Sequence, residues 1–429
     1  MMNESNQRGS QRASRTSVTL HFLLGASFVF SAPATIAQQR FEHPATFRAS
    51  QFVAPNLLSG ANFRVDDHVT NDGYLNIFTI YSNYGEMRAV SDAMLEKRVG
   101  EIKAIAQLKQ ISTSDAFTKG LKQSTGKVLE GAKGAITDPI GTLTGAVSGV
   151  GALFRRAGQS MTESAKTDTE DSGFKRATGF STIKRQYAFN LGVDVYSRNK
   201  ALQKELDSVT QATQFGGLLV SAGMLAIPGG VGIALRMTKT SKSLNEVFLN
   251  SPPTDLRARM RKQIAEMGIN SGTGEMFLHN SMFTLREQVE IVEALSLIRG
   301  AKNRGVFLAF AAHTDNADVA FFRNRQAQMY LGYHLAVAPI REFVGVGSIA
   351  AAETKDGTVI FNVPLDYLVW TQDMAAIIGR ANANVDAMPG IKGKELWLSG
   401  QLSALAREQL TNAGWKVVAK TGDRLLHDS

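Results

Sequence analysis

Residues 215–235 carry no charged side chain. A stretch of that length nearly spans a bilayer, so it must be hidden from water in some way. Six of its residues are glycine, and Pro228-Gly229-Gly230 stands in the middle. Proline removes a helix hydrogen bond and glycine costs helix stability, so the triplet reads as a turn. The expectation is a buried or membrane-inserted hairpin of two short helices. Arg236, Lys239 and Lys242 follow it, which also suits the cytoplasmic end of a span.

A second glycine-rich segment begins at Asp138-Pro139, a good helix start with Asp as N-cap and Pro at the first helical position. Ile140, Leu143, Val147, Val150 and Phe154 then recur at alternating spacings of three and four, an a/d seam. Gly141, Gly145 and Gly149 lie four apart on one face. Each glycine costs about 1 kcal/mol of helix stability relative to alanine. Such a face suits the close approach of another backbone or a lipid surface. Arg155 and Arg156 complement the C-terminal dipole and would attract anionic headgroups. The contact residues expected here are Leu143, Gly145, Val147, Gly149, Val150, Phe154, Arg155 and Arg156.

The N-terminus points to export. Residues 1–17 are polar, with Arg8, Arg12 and Arg15 against Glu4; residues 18–31 are largely apolar. Ala32-Pro33-Ala34 and Thr35-Ile36-Ala37 supply small residues before a cut. This is the pattern of a cleavable secretory signal over residues 1–37. The predicted location is periplasmic or cell-envelope associated. The chain has no cysteine, which excludes disulfides, thiolate metal sites and a cysteine nucleophile. An exported chain of 429 residues must then be held by its own core. The leader carries three arginines and one glutamate, so its removal takes the formal charge from +9 to +7. In an exported protein that charge favours an anionic membrane surface or an envelope protein as partner, and not nucleic acid.

Elsewhere the pattern is conventional. Residues 74–80 are aromatic and β-branched, Asn83-Tyr84-Gly85 supplies a turn, and residues 87–90 return, which predicts a hairpin. Leu95, Val99, Ile102 and Ile105 predict a helix behind it. Residues 158–179 are rich in Ser, Thr, Lys and acids and read as a linker. Residues 256–267 predict a basic helix ending at Gly268. Thr284 and Glu287 make a capping box before an apolar helical face. Residues 305–311 fit either a buried strand or a helix, and a long helix runs on to about Leu335. Lys355-Asp356-Gly357 predicts a hairpin between residues 350–354 and 358–363. Pro364 is expected to lead into a helix through Tyr367, Trp370 and Met374. A strand at 395–399, a helix at 403–413 and a strand at 415–419 complete an α/β rhythm.

Ser181-Thr182-Ile183-Lys184, Ser243-Leu244-Asn245 and Lys420-Thr421-Gly422 resemble, in order, the three motifs of the penicillin-binding protein and serine β-lactamase family. The surroundings do not match. The family's third motif precedes more sheet and a helix, whereas seven residues follow Gly422, and Ser181 borders the polar linker. S-x-x-K recurs at 124–127 and 172–175, so the match is cheap. His313, Asp315, Asp318 and His334 are possible metal ligands, but the histidines are far apart, and Asp315 and Asp318 read more simply as the cap and acidic first turn of a helix. No zinc-protease, nucleophile-elbow or P-loop motif occurs. Ser399-Gly400, at the carboxyl end of a predicted strand, is the loop where an open α/β sheet would bind a ligand.

The expected fold is α+β and mostly helical: an N-terminal hairpin plus helix, glycine-rich apolar helices, and a small C-terminal α/β sheet unit. The expected segments are 1–37 signal, 38–125 hairpin and helix, 126–157 glycine-rich helix, 158–180 linker, 181–300 helical region and 301–429 α/β domain. No cofactor or metal is implied. The preferred function is a non-catalytic envelope protein whose glycine-rich helices contact a membrane or partner. The alternatives are an exported hydrolase with a site assembled from distant residues, and a scaffold with those helices buried.

Overall fold

Side chains alternate along the N-terminal strands as an antiparallel sheet with one packed face requires. The strands are β1 (Thr46–Arg48), β2 (Ser59–Gly60), β3 (Phe63–Val65), β4 (His68–Asn71), β5 (Asn76–Ser82) and β6 (Gly85–Val90). A 3₁₀ turn (Ala49–Gln51) and α1 (Pro55–Leu58) separate β1 from β2. The computed structural model describes residues 40–44, 46–113, 150, 180–216, 239–347 and 349–426. Residues 1–39, 114–149, 151–179 and 217–238 are the longest segments outside that set. β5 pairs along one edge with β6, from Ile77↔Val90 to Ser82↔Gly85, and along the other with both β4 and β3. The sheet is thus wider than the single hairpin that the sequence marks. Phe78 and Ile80 point inward and are fully buried, while Ile77, Thr79 and Tyr81 between them are partly exposed.

α2 (Asp92–Ser112) covers this sheet with Leu95, Val99 and Ile102, then continues to pack Ile105 and Leu108 against α3 (Phe180–Asn190) and α4 (Lys200–Gly216). Polar fastening is also buried here. Glu101, 1% exposed, accepts hydrogen bonds from Arg98, Ser197 and Asn199, so its charge is compensated. Next come α5 (Lys239–Asn250), α6 (Pro253–Glu266), α7 (Ser271–Leu278), α8 (Leu285–Leu297), α9 (Gly305–Ala312) and α10 (Ala317–Ala336). Gly268 takes φ +69° just past α6, the left-handed stop that glycine accommodates. Thr284 and Glu287 form a reciprocal capping box at α8. The ambiguous apolar run at 305–311 is helix: Phe307, Leu308 and Ala311 are buried between α7 and the sheet that follows.

That second sheet contains β7 (Ile340–Val346), β8 (Ile349–Thr354), β9 (Thr358–Val363), β11 (Gly393–Leu398) and β13 (Lys416–Val418), in the order β13-β11-β9-β8-β7. β9, β11 and β13 are parallel; β7, β8 and β9 run antiparallel. The period-two rule divides its side chains between two cores. Ile360 and Trp397 face α9 and α10, whereas Val359, Phe361, Leu396 and Leu398 face α11 (Gln372–Asp386) and α12 (Ala404–Asn412). Parallel strands covered on both faces read as continuous apolar runs, as residues 359–361 of β9 and 396–398 of β11 do. Ala350 and Ala352 on β8 leave room for Tyr330, whose hydroxyl donates to the Ala350 carbonyl at 2.9 Å. A short pair, β10 (Tyr367–Leu368) and β12 (Gln401–Leu402), and a last turn, α13 (Gly422–Leu425), complete the chain.

The helix expected to start after Pro364 begins later. Tyr367 and Leu368 are strand, and α11 starts at Gln372 behind the Thr371 N-cap. The intervening backbone is spent on the N-terminal sheet: Asp366 and Tyr367 N–H groups donate to Tyr74 O, and Val369 N–H donates to Gly73 O. Glu42 adds another tie, accepting from Trp370 N–H and the Ser403 hydroxyl. These ties fall within one unit that runs over Phe41–Ser429.

Candidate active-site cleft

The carboxyl ends of β9, β11 and β13 open on a cleft of about 480 Å³, a size typical of small-molecule sites. Its rim on that side is made of Pro364 and Asp366 after β9, Ser399 and Gly400 after β11, and Gly422 and Asp423 beyond β13. Gly400 is required by crowding. A Cβ there would sit 2.1 Å from Asp366 O, which Gln401 N–H already approaches at 2.8 Å. Across the cleft stand Phe52 and Leu57 from the α1 segment, Phe321 and Arg325 from α10, and the junction of β6 with α2.

That junction is strained. Ser91 has φ +100° and ψ 155°, a region that is essentially reserved for glycine and costs roughly 1–3 kcal/mol. Its N–H donates to Asn76 O, and its hydroxyl oxygen accepts from Met94 N–H as the N-cap of α2. The following residue, Asp92, lies in the first turn and lines the cleft. Asp92 Oδ1 accepts from Asn76 Nδ2 at 3.0 Å. Asp366 Oδ2 reaches the same place from 274 residues away, accepting main-chain N–H from Asn76 at 2.9 Å and from Asp92 at 3.3 Å. Asn76 is fully buried and is steadied by Asn71 Nδ2, so one residue orients both carboxyls.

Burial pushes the Asp92 carboxyl up to about 6, against a smaller opposing effect of the Asn76 hydrogen bond. Burial also raises Asp366 well above the ordinary range, and the Asp92 charge raises it further despite two N–H donors. Burial therefore keeps both carboxyls protonated to pH values at which isolated aspartates are ionised. Arg325 supplies positive charge to the cleft. Burial lowers its basicity, while Glu96, Glu290 and Asp366 act the other way. Asp318, also lining, pairs with Arg88 at 3.3 Å. Among the described residues no histidine lines the cleft, and Ser91 and Ser399 are engaged as an N-cap and as a donor to Leu365 O. The arrangement can give and take a proton near neutral pH; among the described residues it holds no serine–histidine pair.

Of the eight contact residues read from the sequence, only Val150 falls among the described residues. It is fully buried, in the core that also holds Phe322 and Trp370. Leu143, Gly145, Val147, Gly149, Phe154, Arg155 and Arg156 lie outside the described residues. The possible ligands His313, Asp315, Asp318 and His334 have separate duties. His313 is exposed and its Nδ1 meets Ala309 O. His334 Nδ1 accepts from Ile340 N–H. Asp318 stands in the first turn of α10, but the cap is Asn316 rather than Asp315, because Asn316 Oδ1 accepts from Asp318 and Val319 N–H. Among the described residues no group of three or more acids and histidines is placed to hold a metal ion. Of the fragments that resemble β-lactamase motifs, Lys184 pairs with Asp207 at 2.7 Å and the Thr421 hydroxyl donates to Leu398 O. Both are used in holding the fold. No helix among the described residues is long and apolar enough to cross a membrane.

Ser399-Gly400 is where strand-end reasoning pointed. Asp92 and Asp366 were missed. Asp92 reads as an ordinary first-turn acid, and Asp366 falls in a segment that looks helical. Comparison of the chain with protein-family profiles, curated proteins and solved structures gives no match.

Proposed function

We propose that the chain is an exported hydrolase whose acid–base group is Asp92, acting on a small substrate in the cleft at the carboxyl ends of the parallel strands. One observation carries this reading: a carboxyl raised to about 6 opens on a ligand-sized cleft beside a second, buried carboxyl. A group titrating there can serve as both base and acid near neutral pH. As carboxylate, Asp92 takes a proton from a water attacking an acyl or glycosyl carbon; once protonated, it returns that proton to the leaving group. Asp366 is too buried to act on substrate; it is burial that keeps the proton affinity of Asp92 high. Arg325 offers positive charge for negative charge developing on the substrate.

The test uses p-nitrophenyl acetate and p-nitrophenyl glycosides with wild type and Asp92→Asn. The expected result is turnover with an acid limb near 6 that falls about 100-fold in the variant. No turnover of either probe class, or a variant as fast as wild type, would overturn the assignment.

The export signal, and the role of residues 138–156 as a helix that contacts an anionic membrane or an envelope partner, rest on sequence pattern. Both are compatible with a hydrolase held at the envelope. The burial of Val150 favours packing of at least that part of the seam within the protein.

A further inference from the structure

We propose that the cleft selects a small substrate carrying a cationic amine or amidine, its charge held by Glu96 and its apolar body resting on the rings of Phe52 and Phe321. This names the substrate class of the site described above and rests on that cleft being the working site.

Helical spacing brings the groups together. Asp92 and Glu96 are four residues apart on α2, and Asp318, Phe321 and Arg325 follow at spacings of three and four on α10, so each set shares a helix face. All five line the cleft. Glu96 is half-buried one turn beyond Asp92. Among the described residues it makes no hydrogen bond and no ion pair, and Arg325 reaches it only as a nearby charge. Its carboxylate, which can only accept, therefore faces the cleft with acceptors open to a ligand's N–H groups. Arg325 is engaged elsewhere: one of its terminal nitrogens donates to Gln328 Oε1 at 3.1 Å, and Glu290 and Asp366 also draw on its charge.

The remaining lining agrees in sign. With Asp92 and Asp366 set aside as proton carriers, Glu96, Asp318 and Asp423 stand against the single guanidinium of Arg325. Arg88 balances Asp318 at 3.3 Å, which leaves Glu96 and Asp423 to set the charge that a ligand meets. An anion would enter against them, and a cation with them. The apolar contacts are fixed in place. Phe52 is held edge-on by Phe47 and Tyr367, with ring centroids 5.0 and 6.0 Å away. Phe321 already has a cation over its ring, Lys97 Nζ at 5.9 Å. Lys97 does not line the cleft, and Asp194 balances it at 3.3 Å. Aromatic faces attract cations, so these walls suit the same ligand as the carboxylates do.

The experiment measures binding rather than turnover, on the full chain at neutral pH. Benzamidine, benzamide and benzoate share a ring and an outline and differ in charge; NMR shifts of the Glu96 and Gly400 amides report their entry into the cleft. Benzamidine should bind about 10-fold more tightly than benzamide, and benzoate more weakly than either. Added salt should shrink that advantage. Glu96→Gln should weaken benzamidine by about 5- to 10-fold and change benzamide less than about twofold. If that variant does not fold, the ranking of the three probes on wild type decides. Asp92→Asn should still prefer benzamidine, which separates charge selection from the acid–base assignment. Turnover of nitrophenyl probes by a protein that shows no such ranking would leave Asp92 in its role and remove this inference. Equal affinity for the three probes, a preference for benzoate, no benzamidine shift at the cleft amides, or a Glu96→Gln protein that binds benzamidine as wild type does would overturn it.

Discussion

Replacing Asp92 with asparagine keeps the shape of the side chain and the oxygen that accepts from Asn76 Nδ2, but removes the titration. In the folded protein the Asp92 carboxyl is raised from 3.8 to about 6. A carboxyl raised on folding binds its proton more tightly in the folded state. Its stabilising contribution is complete below the unfolded value and is lost as pH rises through the folded one. Wild type should therefore lose stability at this site between about pH 4 and just above pH 6, and the asparagine variant should not. At about 1.4 kcal/mol per unit, a shift of roughly two units is worth about 3 kcal/mol. The electrostatic coupling of Asp92 to Asp366 makes that a ceiling. Urea denaturation of both proteins at pH 4, 6 and 8 reads the difference. The variants should be nearly equal at pH 4, and Asp92→Asn should be the more stable by about 1–3 kcal/mol at pH 8. A variant equal to or weaker than wild type at pH 8, or a gap that does not change with pH, would refute the reasoning.

Ser91→Gly should stabilise the protein by about 1 kcal/mol in the same assay, because relief of the strained backbone outweighs the few tenths lost at the N-cap; a loss of stability would show that the serine cap matters more than the strain. Gly400→Ala should cost at least about 1–3 kcal/mol, since its Cβ would meet Asp366 O at 2.1 Å and must push the β9–β10 connection aside. A thermal midpoint unchanged from wild type would contradict that close approach. Gly145→Leu combined with Gly149→Leu should abolish flotation of the mature protein with anionic liposomes, and flotation that persists in the double variant would remove the glycine argument.

Much of the fold is legible wherever a local rule acts alone. The capping box at Thr284 and Glu287 needs only its own turn of chain, and the structure contains it. Lys355-Asp356-Gly357 marks the β8–β9 reversal because Gly357 takes φ +86°. The strand–helix–strand–helix–strand order from β9 to β13 follows from alternating periodicities, although sequence alone does not say that Trp397 faces one core while Leu396 and Leu398 face the other. Legibility fails where a distant partner takes over the backbone. The spacing of Tyr367, Trp370 and Met374 suggests a helix, yet the Tyr367 and Val369 N–H groups are claimed by Tyr74 and Gly73, nearly 300 residues earlier. The run at 305–311 lacks any period that separates helix from strand, and contact with α7 and β7 resolves it. The candidate site belongs to the same class. Asp92 and Asp366 each satisfy a bland local role, and only the meeting of two sheets makes them a pair. Ser399-Gly400 was visible because the rule that ligands gather at strand carboxyl ends concerns topology rather than side-chain motifs.

The central claim is that Asp92 is poised to exchange a proton in the cleft. Its most direct test is a ¹³C NMR titration of the aspartate carboxyl carbons, with Asp92 assigned by comparison with Asp92→Asn. The account predicts a midpoint for Asp92 near 6, as the structure indicates. A midpoint in the ordinary aspartate range, about 4, would contradict it.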